Sequence, residues 1–185
     1  MVWLIIALVF ALIILVICSV YLLSLAVGLI RAKGVPFVSL SKRQLEEINK
    51  CIKLDLGDKV VDLGCGDGRV LRTFEGQGVK DLTGYEVSLW AYLLARIKNK
   101  FLKSKSRIIF KNFKRVDLSR YNIVFCYLMD YYINSSAFKN KLDKELKPEA
   151  KLISYGFEIK NWREPEIIYT NKENKNLGRI FIYKI

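Results

Sequence analysis

Histidine is absent from this 185-residue chain. Its absence excludes His-based catalytic triads, His–metal sites and imidazole general bases together. Cysteine is sparse: Cys18, Cys51, Cys65 and Cys126 are the four. None has C-x-x-C spacing, so neither a zinc site nor a disulfide framework is indicated, and no metal is expected. Free, buried thiols fit a reducing compartment. Charge is missing from one region altogether. Residues 1–30 contain no Lys, Arg, Asp or Glu, so the whole net charge of +13 falls on residues 31–185. There is no internal repeat and no low-complexity tract, and a composition 52% apolar and 26% charged excludes a disordered chain.

The uncharged run is the first positive feature. From Val2 to Ile30 only Cys18, Ser19, Tyr21 and Ser24 are mildly polar. At ~1.5 Å per residue such a helix is ~44 Å long, more than the ~30 Å of a bilayer's hydrocarbon. It can span with tilt, with Trp3 at the outer interface. A cleaved signal peptide would have a basic leader and an apolar core of ~7–15 residues. A buried soluble helix is seldom apolar all round in so small a domain. Arg31, Lys33, Lys42 and Arg43 follow the run, and by the positive-inside rule the remainder faces the cytoplasm. These features imply a single-pass membrane protein with its folded domain on the cytoplasmic side of the cell membrane. Residues 1–30 are the expected transmembrane helix, 31–40 a juxtamembrane linker opened by Gly34 and Pro36, and 41–185 the folded domain.

In that domain Ser41-Lys42-Arg43-Gln44 reads as a capping box opening a helix through about Cys51. Strands and helices then alternate: strand Lys59–Leu63, helix Arg69–Glu75, strand Leu82–Glu86, helix Leu89–Leu102, strand Arg107–Phe110. Helix Leu89–Leu102 places Trp90, Leu93, Leu94 and Ile97 on one side. Asn122–Tyr127 is a strand apolar enough to be buried on both faces. Ser135–Leu146 is a helix capped by Asn134 or Ser135, and Ala150–Phe157 a strand. Ile167–Tyr169 and Arg179–Tyr183 form a terminal pair, with Thr170–Asn176 an exposed loop between them. Alternation predicts an α/β fold, a doubly wound, mostly parallel Rossmann-like sheet with an antiparallel C-terminal edge.

The informative segment is Asp62-Leu63-Gly64-Cys65-Gly66-Asp67-Gly68-Arg69, a glycine loop between strand and helix. At the carboxyl edge of an α/β sheet this is where ligands bind. A P-loop would need Gly-Lys-Ser/Thr at its end, and the dinucleotide fingerprint would need Gly where Arg69 stands. A phosphate would also be repelled by Asp62, whereas an ammonium would be held by it. Glu86 ends the next strand, where a carboxylate can accept hydrogen bonds from ribose hydroxyls, and Val87 would pack on an adenine. Asn112, after the third strand, stands where an adenine edge would lie, with Asp117 a competitor and an ordinary loop role an alternative.

The D-x-G-x-G-x-G loop from Asp62 to Gly68, followed by Glu86, resembles class I methyltransferases. The resemblance implies a seven-stranded sheet and S-adenosylmethionine as cofactor, bound by Asp62, Gly64, Cys65, Gly66, Asp67, Gly68, Glu86, Val87 and Asn112. A narrower resemblance rests on the apolar helix, Gly34-Val35-Pro36-Phe37-Val38, Gly84-Tyr85-Glu86, Val116-Asp117-Leu118-Ser119, Tyr127-Leu128, Leu146-Lys147-Pro148 and the Phe157…Trp162…Pro165 tail. These look like the prokaryotic relatives of the lysine methyltransferases that modify the mitochondrial ATP-synthase c subunit and adenine nucleotide translocase. That resemblance implies a lysine of a membrane protein as acceptor. The chain departs from the family's pattern at Ser39, where Pro is frequent, and at Met129-Asp130, where Leu-Pro is frequent. Both positions flank the expected acceptor pocket.

On the acceptor side Tyr127 could hold an amine or serve as a core aromatic, and Asp130 could attract a cation or cap a helix. Glu158 is a further local acid. The N-P-P-Y signature of enzymes acting on base amino groups is absent, which disfavours nucleic acid. The positive charge suits docking on an anionic bilayer better than long-range attraction of a lysine. Methylation of a lipid or quinone, and a non-catalytic cofactor-binding membrane protein, are the other readings.

Overall fold

The computed structural model describes residues 2–31, 38–170 and 178–185. The expected helix break at Gly34 and Pro36, and most of the expected loop Thr170–Asn176, lie outside them. Helix α1 (Val2–Arg31) is followed by α2 (Lys42–Cys51), which opens on the expected capping box. Ser41 Oγ accepts from the Gln44 amide at 3.3 Å and Gln44 Oε1 from the Ser41 amide at 2.8 Å. Two otherwise unsatisfied donors of the first turn are met in this way.

The α/β part runs β1 (Lys59–Leu63), α3 (Arg69–Glu75), β2 (Asp81–Glu86), α4 (Leu89–Phe101), β3 (Arg107–Phe110), β4 (Ile123–Cys126), α5 (Asp130–Ile133), α6 (Ser136–Glu145), β5 (Lys151–Tyr155), β6 (Glu166–Tyr169) and β7 (Arg179–Lys184). The sheet has seven strands in the order β3-β2-β1-β4-β5-β7-β6. β1 to β5 are parallel and β7 is antiparallel to β5 and β6. This is the doubly wound sheet with an antiparallel C-terminal edge that the alternation predicts. β1 and β4 lie at its centre, and Val60, Val61, Leu63 and all four residues of β4 are buried, as central parallel strands must be. Ile48, Leu71, Phe74 and Ala95 cover one face; Ile133, Phe138 and Leu142 cover the other.

Two short elements were not foreseen: the single turn α5 and a 3-10 turn at Phe113–Arg115. Both are too short to show periodicity. Ser135, rather than Asn134, caps α6, accepting from the Phe138 amide at 3.3 Å.

The apolar side of α4 does not face the sheet. Trp90, Leu93 and Ile97 are exposed, and Ala91, Ala95 and Asn99 are the buried face. The reason is space. A Cβ on Gly68 would lie 3.7 Å from the Ala95 Cβ and 3.2 Å from Ile108 Cδ1, so α4 passes close to the glycine loop and only small residues fit beneath it. Hydrophobicity alone cannot choose between two apolar faces; close packing does.

Val2–Ser24 is long and apolar enough to cross a membrane by length and composition, and none of it is buried in the rest of the protein except at its end, where Ser24 meets α4.

Candidate active site

Asp62 and Glu86 stand at the carboxyl ends of adjacent parallel strands. Asp62 is in register with Gly84, so Glu86 lies two residues further on. Between them the glycine loop folds over β2, with the Gly64 and Cys65 amides both donating to the Tyr85 carbonyl at 2.9 and 3.1 Å. Gly64, Gly66 and Gly68 have φ of 80°, 54° and 77°, the left-handed region that a Cβ disfavours. Three alternate residues in that conformation explain why the loop spells glycine at every second position. Gly84 is needed for another reason: a Cβ there would lie 2.5 Å from Cys65 Sγ and 2.7 Å from Leu71 Cδ1.

Glu86 ties the loop to β2. Its Oε2 accepts from the Gly66 amide at 2.8 Å, and its Oε1 from the Val87 and Ser88 amides at 2.7 Å each. Of about four acceptor sites on a carboxylate, one on Oε2 stays open to a further donor. Burial raises the Glu86 pKa, against the lowering pull of those three amides. Asp62 is pushed up to about 8, first by burial and then by the negative charges of Glu86 and Asp67. The site therefore carries a penalty against negative charge in a buried place, which keeps Asp62 protonated below about pH 8. A ligand bringing an ammonium and a sulfonium relieves it; a pyrophosphate aggravates it. That is the fit of these residues to S-adenosylmethionine.

Asp67 takes a different part. Its carboxylate receives Arg69 at 2.7 and 2.8 Å and Lys98 of α4 at 2.7 Å. Burial pulls its pKa up, but the Arg69 and Lys98 hydrogen bonds and charges outweigh this and hold it well below the carboxylate range. Arg69 also donates to the Leu40 carbonyl, and Arg72 donates to the Asp67 carbonyl at 2.8 Å. Asp67 thus clamps α3, α4 and the chain before α2 onto the loop. The motif flagged Asp67; nothing in the spacing flagged Lys98 or Arg72, which arrive from outside it.

Two openings flank the carboxylates. Beyond Glu86 a cavity of about 480 Å³ is lined by Val87, Phe110, Lys111, Asn112 and Arg115. Val87 and Asn112 both line it, and Asn112 Oδ1 also caps the 3-10 turn, accepting from the Lys114 amide at 3.0 Å. Asp117 instead closes a local turn on Ser119 at 2.8 Å. On the other side a narrow cleft joins Asp62, Gly64 and Cys65 to Tyr127, with Val38, Ser39 and Leu40 as one wall. Tyr127 packs edge-on against Tyr155 at 5.4 Å. Asp130 does not line this cleft. It opens α5, accepts from Asn134 Nδ2 at 3.1 Å and lies 3.9 Å from Lys160 Nζ. Glu158 presents its carbonyl to Asn134. Cys65 and Cys126 are buried, which raises both thiols, Cys126 to about 12, and keeps them neutral. No group of three or more His, Cys, Asp or Glu side chains that could hold a metal occurs among the described residues.

Strand order, glycine loop and paired carboxylates define a class I, S-adenosylmethionine-dependent methyltransferase. The fold is shared with the RNA methyltransferase from Salinibacter ruber solved with S-adenosyl-L-homocysteine, at a TM-score of 0.70 and 20% identity over 80% of this chain and 94% of that one. More narrowly, the chain belongs to the ANTKMT methyltransferase domain family, whose pattern matches residues 62–166. It is 32% identical, over 82% of its length and 94% of the relative's, to a protein-lysine N-methyltransferase of Saccharolobus islandicus (strain REY15A). It is 27% identical to the adenine nucleotide translocase lysine N-methyltransferase of Mus musculus, spanning 63% of that protein. The family expected from the motifs is thus the family found.

Proposed function

We propose that this methyltransferase modifies a lysine side chain of a membrane protein, held to the bilayer by α1 with its catalytic part on the cytoplasmic side. The observation that carries the reading is the wall of the Tyr127 cleft. Val38, Ser39 and Leu40 stand against Asp62, Gly64 and Tyr127, only a few residues after α1 ends at Arg31. A wall that begins seven positions after Arg31 tethers the cleft close to the anchor along the chain. The names of the two relatives supply the lysine.

S-adenosylmethionine would supply an electrophilic methyl on its sulfonium, passed to an amine with S-adenosyl-L-homocysteine as the leaving product. Such a displacement needs positioning more than acid–base chemistry. Asp62 would hold the cofactor's ammonium, Glu86 a ribose hydroxyl, and Val87 and Asn112 the adenine. The Tyr127 ring and the apolar wall at Val38 and Leu40 exclude water from the acceptor. A free lysine titrates near ~10.4; an apolar cleft favours its neutral, attacking form. Asp130, outside the cleft and beside Lys160, leaves that effect intact. The net charge of +13 repels a lysine at long range and attracts an anionic bilayer.

The test incubates the purified full-length protein and methyl-labelled cofactor with membranes from a strain lacking it. Label in a protein, recovered as methyllysine after hydrolysis and lost with Asp62→Ala/Glu86→Ala, is expected. Label that extracts into organic solvent would sink the lysine reading in favour of a lipid or quinone. Cofactor binding with no transfer to any membrane fraction would favour a non-catalytic binding protein.

A further inference from the structure

We propose that α4 is a second membrane contact: its outer face lies in the headgroup region of an anionic bilayer, beside the cytoplasmic end of α1. The proposal rests on the anchor reading of α1.

At 100° per residue, Leu89, Trp90, Leu93, Ile97 and Phe101 fall within an arc of about 120° on α4. That arc is opposite Ala91, Ala95 and Asn99, the face packed on the sheet. All five are exposed, Phe101 to 81% and Ile97 to 52%, although Trp90 also meets the end of α1. The stripe extends ~18 Å along the helix. An apolar ridge of this kind on a soluble surface is costly unless something shields it.

Three observations favour a bilayer as the cover. The first is position. The Trp90 amide donates to Ser24 Oγ at 3.0 Å, and the Trp90 ring packs edge-on against Tyr21 at 5.2 Å. Tyr21 and Ser24 close the stretch that is apolar enough to cross a membrane, Val2–Ser24. The apolar run continues to Ile30, so the start of α4 is held beside the last third of the span, toward the interface that Trp and Tyr prefer. The second is charge. Arg96 is exposed along one border of the stripe, Lys100 just inside that border, and Lys103 and Lys105 beyond its end. A basic rim around an apolar ridge is the pattern of helices lying in the interface of anionic membranes. The third argues against a second copy of this chain. A twofold pairing of α4 would bring two basic rims, each with Arg96 and Lys100, into one interface.

The contact would also bear on the active site. Lys98, on the same helix, reaches Asp67 of the glycine loop at 2.7 Å. A helix resting on the bilayer would orient the loop and the cleft wall toward the membrane, in line with an acceptor presented there.

The test uses three full-length chains with one tryptophan each, in nanodiscs containing phosphatidylglycerol and bromine-labelled lipid. One retains Trp3, one retains Trp162, and one carries Ile97→Trp with Trp3, Trp90 and Trp162 changed to Phe. Cofactor binding checks the fold of each. Quenching of about twofold or more is expected at positions 3 and 97 and none at Trp162, which packs against the other face of the sheet. Quenching at position 3 without position 97 would overturn the α4 contact and leave the anchor standing. Loss of both, in a chain that alkaline carbonate extracts, would remove the anchor reading as well. Protection at position 97 confined to discs holding two chains would overturn the proposal in favour of self-association. Leu93→Glu/Ile97→Glu is expected to lower transfer to a membrane-embedded substrate about tenfold with cofactor affinity unchanged; unchanged transfer would overturn it.

Discussion

The carboxyl edge of the sheet has two halves built by different means. On the β1–β2 side nearly every polar group is committed. Glu86 receives three backbone amides, Asp67 receives Arg69 and Lys98, and three glycines adopt positive φ. On the β4–β5 side the cleft is made largely of ring contacts and main chain, with Tyr127 against Tyr155 and beside Gly156. A cofactor of fixed chemistry demands fixed residue types at fixed positions, and those show as a motif. An acceptor is read by shape and depth, which spacing along the chain does not express.

The contrast is broken most directly from the cofactor half. Asp62→Ala/Glu86→Ala is expected to lower affinity for S-adenosylmethionine by about 100-fold or more, since two charge-assisted contacts go. Calorimetry on the full-length protein measures it, and near-normal heat would place the cofactor elsewhere. Next in size is Gly84→Ala. Its Cβ would meet Cys65 Sγ at 2.5 Å and Leu71 Cδ1 at 2.7 Å in a buried layer. A loss of about 2–3 kcal/mol is expected, as for other overpacked cores, read by denaturant unfolding. An equal loss from Gly57→Ala, where a Cβ meets nothing within 4 Å, would show that flexibility rather than contact matters.

The third prediction concerns pH. In the free protein Asp62 titrates at about 8 because burial and then Glu86 and Asp67 disfavour its charge. An ammonium beside it lowers that pKa, so binding expels a proton when pH is below 8. Affinity is therefore expected to rise with pH, by up to about tenfold per unit, and to level off near 8. Above that the cofactor's own amine loses its charge, and affinity falls again. Asp62→Asn should flatten the acid limb. A wild-type limb that stays flat between pH 6 and 8 would remove Asp62 from the ammonium site.

Much of this was readable from the chain. The capping box at Ser41 and Gln44, the alternation of strands and helices and the antiparallel end all follow from local chemistry and periodicity. So does the meeting of Asp62 with Glu86, because adjacent parallel strands bring their carboxyl ends together. What the chain does not declare is long-range and lateral. Lys98 reaches Asp67 across 31 positions, and Arg69 reaches the Leu40 carbonyl across 29. The orientation of α4 was concealed because the helix has two faces without charge at their centres, and small size, not hydrophobicity, selects the inner one. Of the wall at Val38, Ser39 and Leu40, the family resemblance placed only Ser39 beside the acceptor pocket; that Val38 and Leu40 join it follows from packing that spacing does not express.

The finest test separates the two acceptor-side residues that sequence alone could not rank. Tyr127 lines the cleft with Asp62, while Asp130 lies outside it, bonded to Asn134 and near Lys160. Tyr127→Phe keeps the ring and its packing on Tyr155 and removes only the hydroxyl. It should lower kcat by about tenfold, worth ~1.4 kcal/mol, and leave cofactor affinity unchanged. Asp130→Asn keeps an acceptor for Asn134 at a half-exposed position, and such changes stay within about 0.5 kcal/mol, or about twofold. If Asp130→Asn proves the more damaging of the two, the acceptor enters over α5 rather than along the Val38–Leu40 wall. The difference between the halves would then be smaller than the geometry implies, because a charged residue would serve the acceptor as Asp62 serves the cofactor.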